Sequence, residues 1–321
     1  MSAPQEWIIE LWQEARRKKI LLVIDEIQKI ENWAEVVKKL SDEDKRNKKA
    51  LMCVLLGSSS LQIQKGLTES LTGRFQLIQA FHWNLHETGS LCRMGLSDYL
   101  KFGGYPGAYG LANDLPGWTN YLRHSIVETV LEKDILTYHT VKSPSLFKQA
   151  FELVTSYPAQ EISLTKLLGQ LQNKGNTDLV KHYLRLFEGA YLIKILEKYS
   201  TNQIKRKSSS PKILPLCPAL YYLQIQQEYS AQEKGRVFEL IVGCQLVRLN
   251  GELFYWREDN FEVDYVFKSG KKVTAFEVKS GRKKFANGLV EFAKRFPNSK
   301  QVIITEENYE EFHCCPARGI A

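Results

Sequence analysis

The run Leu21-Leu22-Val23-Ile24, followed at once by Asp25-Glu26, places the tightest constraint on how this chain can fold. An unbroken apolar stretch of strand length predicts a strand buried on both faces, as in a parallel sheet covered by helices. A second such run covers Leu51 to Leu56. Helical patterns flank both, at Glu6 to Arg17, with Trp7, Ile8, Leu11 and Trp12 on one face, and at Trp33 to Leu40. This alternation predicts an α/β fold on a parallel sheet, with a third strand over Phe75 to Ala80.

Two carboxylates at the end of a buried strand can do chemistry. An Asp there holds Mg²⁺ through water, and the following Glu polarises an attacking water. The next buried run ends in Gly57-Ser58-Ser59-Ser60, hydroxyls suited to sensing a γ-phosphate, and Ser70-Leu71-Thr72-Gly73-Arg74 offers a cation for a neighbouring subunit's phosphate. The 321 residues contain no Gly-x4-Gly-Lys-Ser/Thr loop to cradle phosphates, so half of an ATP site is expected. The plainer alternative is a buried strand that ends in a solvated acidic turn.

The C-terminal third carries a second constellation. It reads as helix (Glu233 to Leu249), three strands (Leu253 to Trp256, Phe261 to Phe267, Lys272 to Lys279), helix (Lys284 to Phe296) and strand (Gln301 to Thr305). Alternation in Phe261-Glu262-Val263-Asp264-Tyr265-Val266-Phe267 puts Glu262 and Asp264 on one face. A turn at Lys268-Ser269-Gly270-Lys271 would set Asp264 opposite Ala275 and Glu262 opposite Glu277. Asp264 and Glu277 then become diagonal neighbours, roughly 7–8 Å apart, with Lys279 on the same face. Carboxylates so gathered repel unless a cation joins them, so Mg²⁺ is expected. Glu239 interrupts the apolar run Val237 to Val242, where a carboxylate without a partner is costly. Solvated surface acids, or Lys279 merely neutralising Glu277, are the competing readings.

Between these parts the chain is largely helical. Tyr121 to Leu136 forms a long amphipathic pattern after the turn-rich Gly103-Gly104-Tyr105-Pro106-Gly107. Ser163 to Leu171 and Thr177 to Phe187 make a helix-turn-helix-like pair, with Ser163 and Asn176 as N-caps. Ala190 to Tyr199 and Lys212 to Leu216 would be two wing strands, joined by a polar, basic loop over residues 202–211. Lys181 and Arg185 on the second helix and Lys205, Arg206 and Lys207 on the loop are the candidate DNA contacts. The alternative is a lid or interaction domain.

The formal net charge of +8 leans weakly toward a polyanionic partner. No apolar run reaches the length of a membrane span, and the six cysteines show no zinc or disulfide spacing. A reduced, cytoplasmic protein is expected.

Taken together, several motifs resemble a prokaryotic AAA-type ATPase family that carries a C-terminal domain of unknown function. They are Ile24-Asp25-Glu26-Ile27-Gln28-Lys29, Trp33, Leu56-Gly57-Ser58-Ser59-Ser60, Ser70-Leu71-Thr72-Gly73-Arg74, Gly103-Gly104-Tyr105-Pro106, Glu132-Lys133-Asp134, Trp256-Arg257, Glu262-Val263-Asp264 and Glu277-Val278-Lys279. The resemblance implies a Walker B pair at Asp25 and Glu26, with Asp25 on Mg²⁺ and Glu26 catalytic. It also implies a sensor at Ser58 or Ser59 and an arginine finger at Arg74. Asp264, Glu277 and Lys279 resemble the PD-(D/E)xK nuclease motif, in which two acids bind metal and the lysine steadies water or phosphate; Glu239 stands where that fold has its helical acid.

The expected architecture is therefore α/β in three parts. Residues 1–95 are an AAA-type parallel sheet lacking its first strand and P-loop, 96–228 a helical, winged-helix-like region, and 229–312 a restriction-endonuclease-like αβββαβ domain. ATP turnover by this chain alone is expected to be compromised. DNA, a second copy, or a partner supplying the missing strand are the expected associates. The competing classes are a Mg²⁺-dependent nuclease and a non-enzymatic binding module.

Overall fold

The computed structural model describes residues 4–49, 51–57, 71–137, 139, 141–171, 175–281 and 286–314. The chain is mixed α/β. It divides into two compact units, one of residues 1–80 with 132–140, the other of residues 81–131 with 141–321.

In the first unit, strands β1 (Leu22–Ile24) and β2 (Cys53–Leu55) pair in parallel. Helices Pro4–Lys18 and Trp33–Arg46 bring Ile8, Trp12, Trp33, Val37 and Leu40 against Leu22 and Ile24. An ion pair fixes the two helices: Trp12 Nε1 donates to Asp44 at 2.9 Å, and Arg16 pairs with the same carboxylate. The expectation of strands buried on both faces is corrected. Val23 is 50% exposed and Val54 39%, because both helices lie over the Leu22 and Ile24 face. The segment Phe75 to Ala80 forms no strand, and Ile78 is exposed.

In the second unit the expected pattern Tyr121 to Leu136 begins as a π-helical stretch, Tyr121–Val127. Ser163 and Asn176 cap helices Leu164–Gln170 and Thr177–Gly189, accepting from Lys166 N and Leu179 N. A small antiparallel sheet of order β3-β5-β4 follows, from Gln160–Glu161, Lys212–Pro215 and Ile193–Leu196. The loop expected at 202–211 contains a short helix, Gln203–Ser208, held by an ion pair from Arg206 to Glu197 and by the Arg206 guanidinium over the Phe254 ring. The side chains of Lys205 and Lys207 lie outside the described residues, as do Ser58, Ser59, Lys284 and Phe285.

The C-terminal elements run in the order read from the sequence. Helix Ala231–Val247 precedes β6 (Glu252–Glu258), β7 (Phe261–Ser269) and β8 (Lys272–Lys279). Helix Asn287–Arg295 and β9 (Ser299–Thr305) then close a sheet of order β6-β7-β8-β9, antiparallel except for the final parallel pair. Such a parallel pair needs a crossover, which helix Asn287–Arg295 supplies. One core joins this sheet to the helical region: Tyr99, Leu100, Leu196, Leu214 and Tyr221 pack with Phe238, Ile241, Tyr265 and Phe276.

Two glycines are set by close approach. A Cβ on Gly288 would fall 1.7 Å from the Glu262 carbonyl oxygen, and one on Gly104 would fall 2.0 Å from that of Trp83. No helix among the described residues is long and apolar enough to cross a membrane.

Candidate functional site

The β7–β8 register decides which acids meet. The hairpin closes at Ser269↔Lys272, with Gly270 at φ 59° in the position where a two-residue type II′ turn calls for glycine. The pairs Val266↔Ala275 and Tyr265↔Phe276 follow, so the expected pairing of Asp264 with Ala275 is displaced by two residues. The displacement keeps each residue on its face and carries Asp264 toward Glu277 rather than diagonal to it. Glu262 pairs instead with Arg257 on β6 and is exposed.

A bulge adjusts Asp264 further. On β6, Phe254 pairs with Val266 and Trp256 with Val263, which leaves Tyr255 facing both Asp264 and Tyr265. An extra residue in one strand breaks the alternation and re-aims a side chain, as bulges beside functional sites do. Asp264 is thereby turned inward, and its Oδ2 accepts the Val278 backbone N–H at 2.7 Å.

Around Asp264 lie Glu239 from helix Ala231–Val247 and Glu277 with Lys279 from β8. Glu277 is only 6% exposed. Its Oε1 accepts from Lys279 Nζ, while its Oε2 is buried with no hydrogen-bond partner among the described residues. Burial and the neighbouring Asp264 push the Glu277 carboxyl up to about 7 against the pull of Lys279. Burial also raises Asp264, although Lys212 and the Val278 N–H favour its charge. Burial, with Asp264 nearby, pushes Glu239 up to about 8.

Lys212 is the participant that sequence reasoning missed. It opens β5, the central strand of the small sheet, and its residue is 6% exposed. Its Nζ pairs with Glu239, donates to the Asp264 carbonyl oxygen at 3.1 Å, and lies 4.8 Å from the Tyr265 ring centroid. Burial pulls the ammonium down, but Glu239 and Asp264 outweigh it and hold the pKa above the usual lysine value. The one available signal was a lysine at the head of the apolar run Lys212-Ile213-Leu214. A cavity of 290 Å³ opens here, lined by Lys212, Glu239, Glu262 and Asp264, with Arg236 and Arg257 among its other walls.

Two of these groups, Asp264 and Glu277, could hold one small divalent ion. Among the described residues no three Asp, Glu, His or Cys side chains converge to hold a metal by themselves. Mg²⁺, however, is usually bound by one or two carboxylates and keeps several waters. Asp264 and Glu277, the latter with an orphaned buried oxygen, supply such a pair.

The first unit holds the other candidates. Asp25 is exposed, and its Oδ1 accepts the Glu26 N–H at 2.9 Å. Glu26 takes a left-handed backbone at φ 55° and pairs with Lys29 at 3.0 Å. Asp134, in the same unit, is raised by burial and by Glu26. Arg74 bonds both oxygens of Asp42, at 2.9 and 3.3 Å, so it is engaged within its own unit. Lys181 is half-exposed and pairs with Asp178, and Arg185 is exposed.

Residues 2–89 match an AAA domain. Residues 93–228 and 234–315 each match a domain of unknown function (DUF8612 and DUF4143). The chain is 26% identical over 268 residues to an uncharacterized protein of Methanocaldococcus jannaschii, covering 76% of this chain and 58% of that protein. It is 28% identical over 269 residues to one of Mycobacterium tuberculosis, covering 81% and 58%. An uncharacterized protein of Haemophilus influenzae is 21% identical over 324 residues, covering 95% and 76%. These matches support an AAA-type ATPase family with a C-terminal domain of unknown function. The chain spans a little over half the length of the first two relatives. No solved structure matches it.

Proposed function

We propose that this chain is a DNA-associated protein of the AAA type whose C-terminal pocket is a Mg²⁺-dependent, PD-(D/E)xK-like site for nucleic-acid phosphodiester cleavage. The observation that carries the reading is Asp264, bent inward by a bulge beside a buried Glu277 whose second oxygen has no partner among the described residues. Asp264 and Glu277 would hold the ion. Bound there, Mg²⁺ supplies Lewis-acid polarisation of a phosphoryl oxygen and a more acidic water. The Val278 N–H fixes the Asp264 carboxylate, and Glu277 fixes the Lys279 ammonium. Lys279 then steadies the attacking water or the scissile phosphate. In the same reading, the helix bearing Lys181 and Arg185 belongs to a winged-helix-like unit that contacts the DNA backbone, and Asp25 with Glu26 is the Walker B pair for a nucleotide's Mg²⁺.

The test is cleavage of duplex and single-stranded DNA by the full chain across a Mg²⁺ titration. Cleavage is expected to vanish in EDTA and to fall about 100-fold or more in Lys279→Ala, the scale of losing one oriented charge donor. A second reading, binding without cleavage, draws on Lys212 and Lys279 already neutralising two of three carboxylates. DNA binding that weakens steeply with salt, without Mg²⁺-dependent cleavage, would favour it.

A further inference from the structure

Three features converge on the Lys212 ammonium: a carboxylate from Glu239, the main-chain oxygen of Asp264 and the face of the Tyr265 ring. Each attracts a cation, and the side chain that fills their focus is 8% exposed. Asp264 is shared: its carbonyl accepts from Lys212, while its carboxylate accepts the Val278 N–H on β8. Two cation positions therefore flank Asp264, one on the cavity side and one on the β8 side. One is filled by the chain itself, and the other is marked by the orphaned Glu277 oxygen.

We infer that Lys212 is a built-in second cation, standing where a two-metal site would place its other ion, so that this pocket takes one divalent ion where its carboxylates would otherwise take two. The inference rests on the proposed metal-dependent reading of the same pocket. Two-metal sites place their ions about 3.5–4 Å apart on shared carboxylates to clamp the attacking and leaving oxygens of a displacement. A lysine in the second position supplies fixed positive charge without a second metal. It also makes the site depend on the small sheet, because β5 delivers Lys212 to carboxylates carried by helix Ala231–Val247, β7 and β8.

The experiment is Mn²⁺ titration of the full chain by calorimetry, comparing the wild type with Lys212→Met, Lys212→Arg and the double variant Lys212→Met/Glu239→Gln. The number of bound Mn²⁺ ions is expected to rise by one in Lys212→Met, and to return to the wild-type number in Lys212→Arg and in the double variant. Circular dichroism in EDTA checks the fold of each. Should Lys212→Met unfold in EDTA, the inference requires Mn²⁺ to restore its fold, and failure to do so counts against it. An unchanged stoichiometry in folded Lys212→Met overturns the inference while leaving an Asp264–Glu277 ion intact. A wild type with no Mn²⁺ ion sensitive to Asp264→Asn would sink the reading beneath the inference, and the inference with it.

Discussion

Gly288→Ala is expected to destabilise the compact unit that contains it by about 3 kcal/mol, the upper end of what an overpacked site typically costs. The added methyl would stand 1.7 Å from the Glu262 carbonyl oxygen and 2.8 Å from its carbon. Both are backbone atoms, so no rotamer change relieves the clash. Either helix Asn287–Arg295 lifts away, exposing Leu289 and Phe292 from their cluster with Trp256 and Val263, or β7 shifts just before Asp264. Denaturant unfolding would register this as a lower midpoint. A midpoint within error of the wild type would show that helix and strand are not in the close contact described.

Lys212→Met, in the absence of divalent ions, is expected to lose about 3–5 kcal/mol, the usual result of removing one partner from a buried ion pair. Methionine matches the aliphatic stem, so the loss reports charge rather than volume. What remains is Glu239, set in a helix beside the fully buried Val237, Phe238 and Leu240, without the ammonium that paired with it. Because the penalty belongs to the stranded carboxylate, adding Glu239→Gln should recover most of it. The double-mutant cycle would then give a coupling well above that of exposed pairs. Additive losses would mean that Lys212 and Glu239 act on stability separately.

Much of the C-terminal fold is legible in the sequence, because alternating strands, a glycine turn and an amphipathic crossover helix are local patterns. The Lys272 to Lys279 strand forms with the bounds read from it. Other features depend on information that does not lie along the strand. The alternation Phe261 to Phe267 continues unbroken in the sequence, whereas in space it is interrupted, because β6 offers Tyr255 alone to Asp264 and Tyr265. The register slipped by two because Ser269 pairs with Lys272, leaving Gly270 and Lys271 as the turn instead of Ser269 and Gly270.

Lys212 was out of reach for a different reason. It lies far along the chain from Asp264 and belongs to a different sheet, so no periodicity links them. The basic neighbours of Arg206 make it a candidate DNA contact, but in the fold Glu197 and Phe254 hold its guanidinium. In the first unit the apolar runs correctly predicted parallel strands. They could not show that both helices would lie over the Leu22 and Ile24 face while Val23 stayed exposed.

The central claim is that Asp264 and Glu277 are held together to share a divalent cation, and thermal unfolding with and without Mn²⁺ tests it most directly. A ligand that binds only the folded state stabilises it by about 2.7 kcal/mol at a hundred times its Kd, roughly 5–10 °C for a unit of this size. The wild type should therefore melt higher in Mn²⁺ than in EDTA, and Asp264→Asn should lose that gain. A wild-type melting temperature indifferent to Mn²⁺, or an equal rise in Asp264→Asn, would contradict the claim.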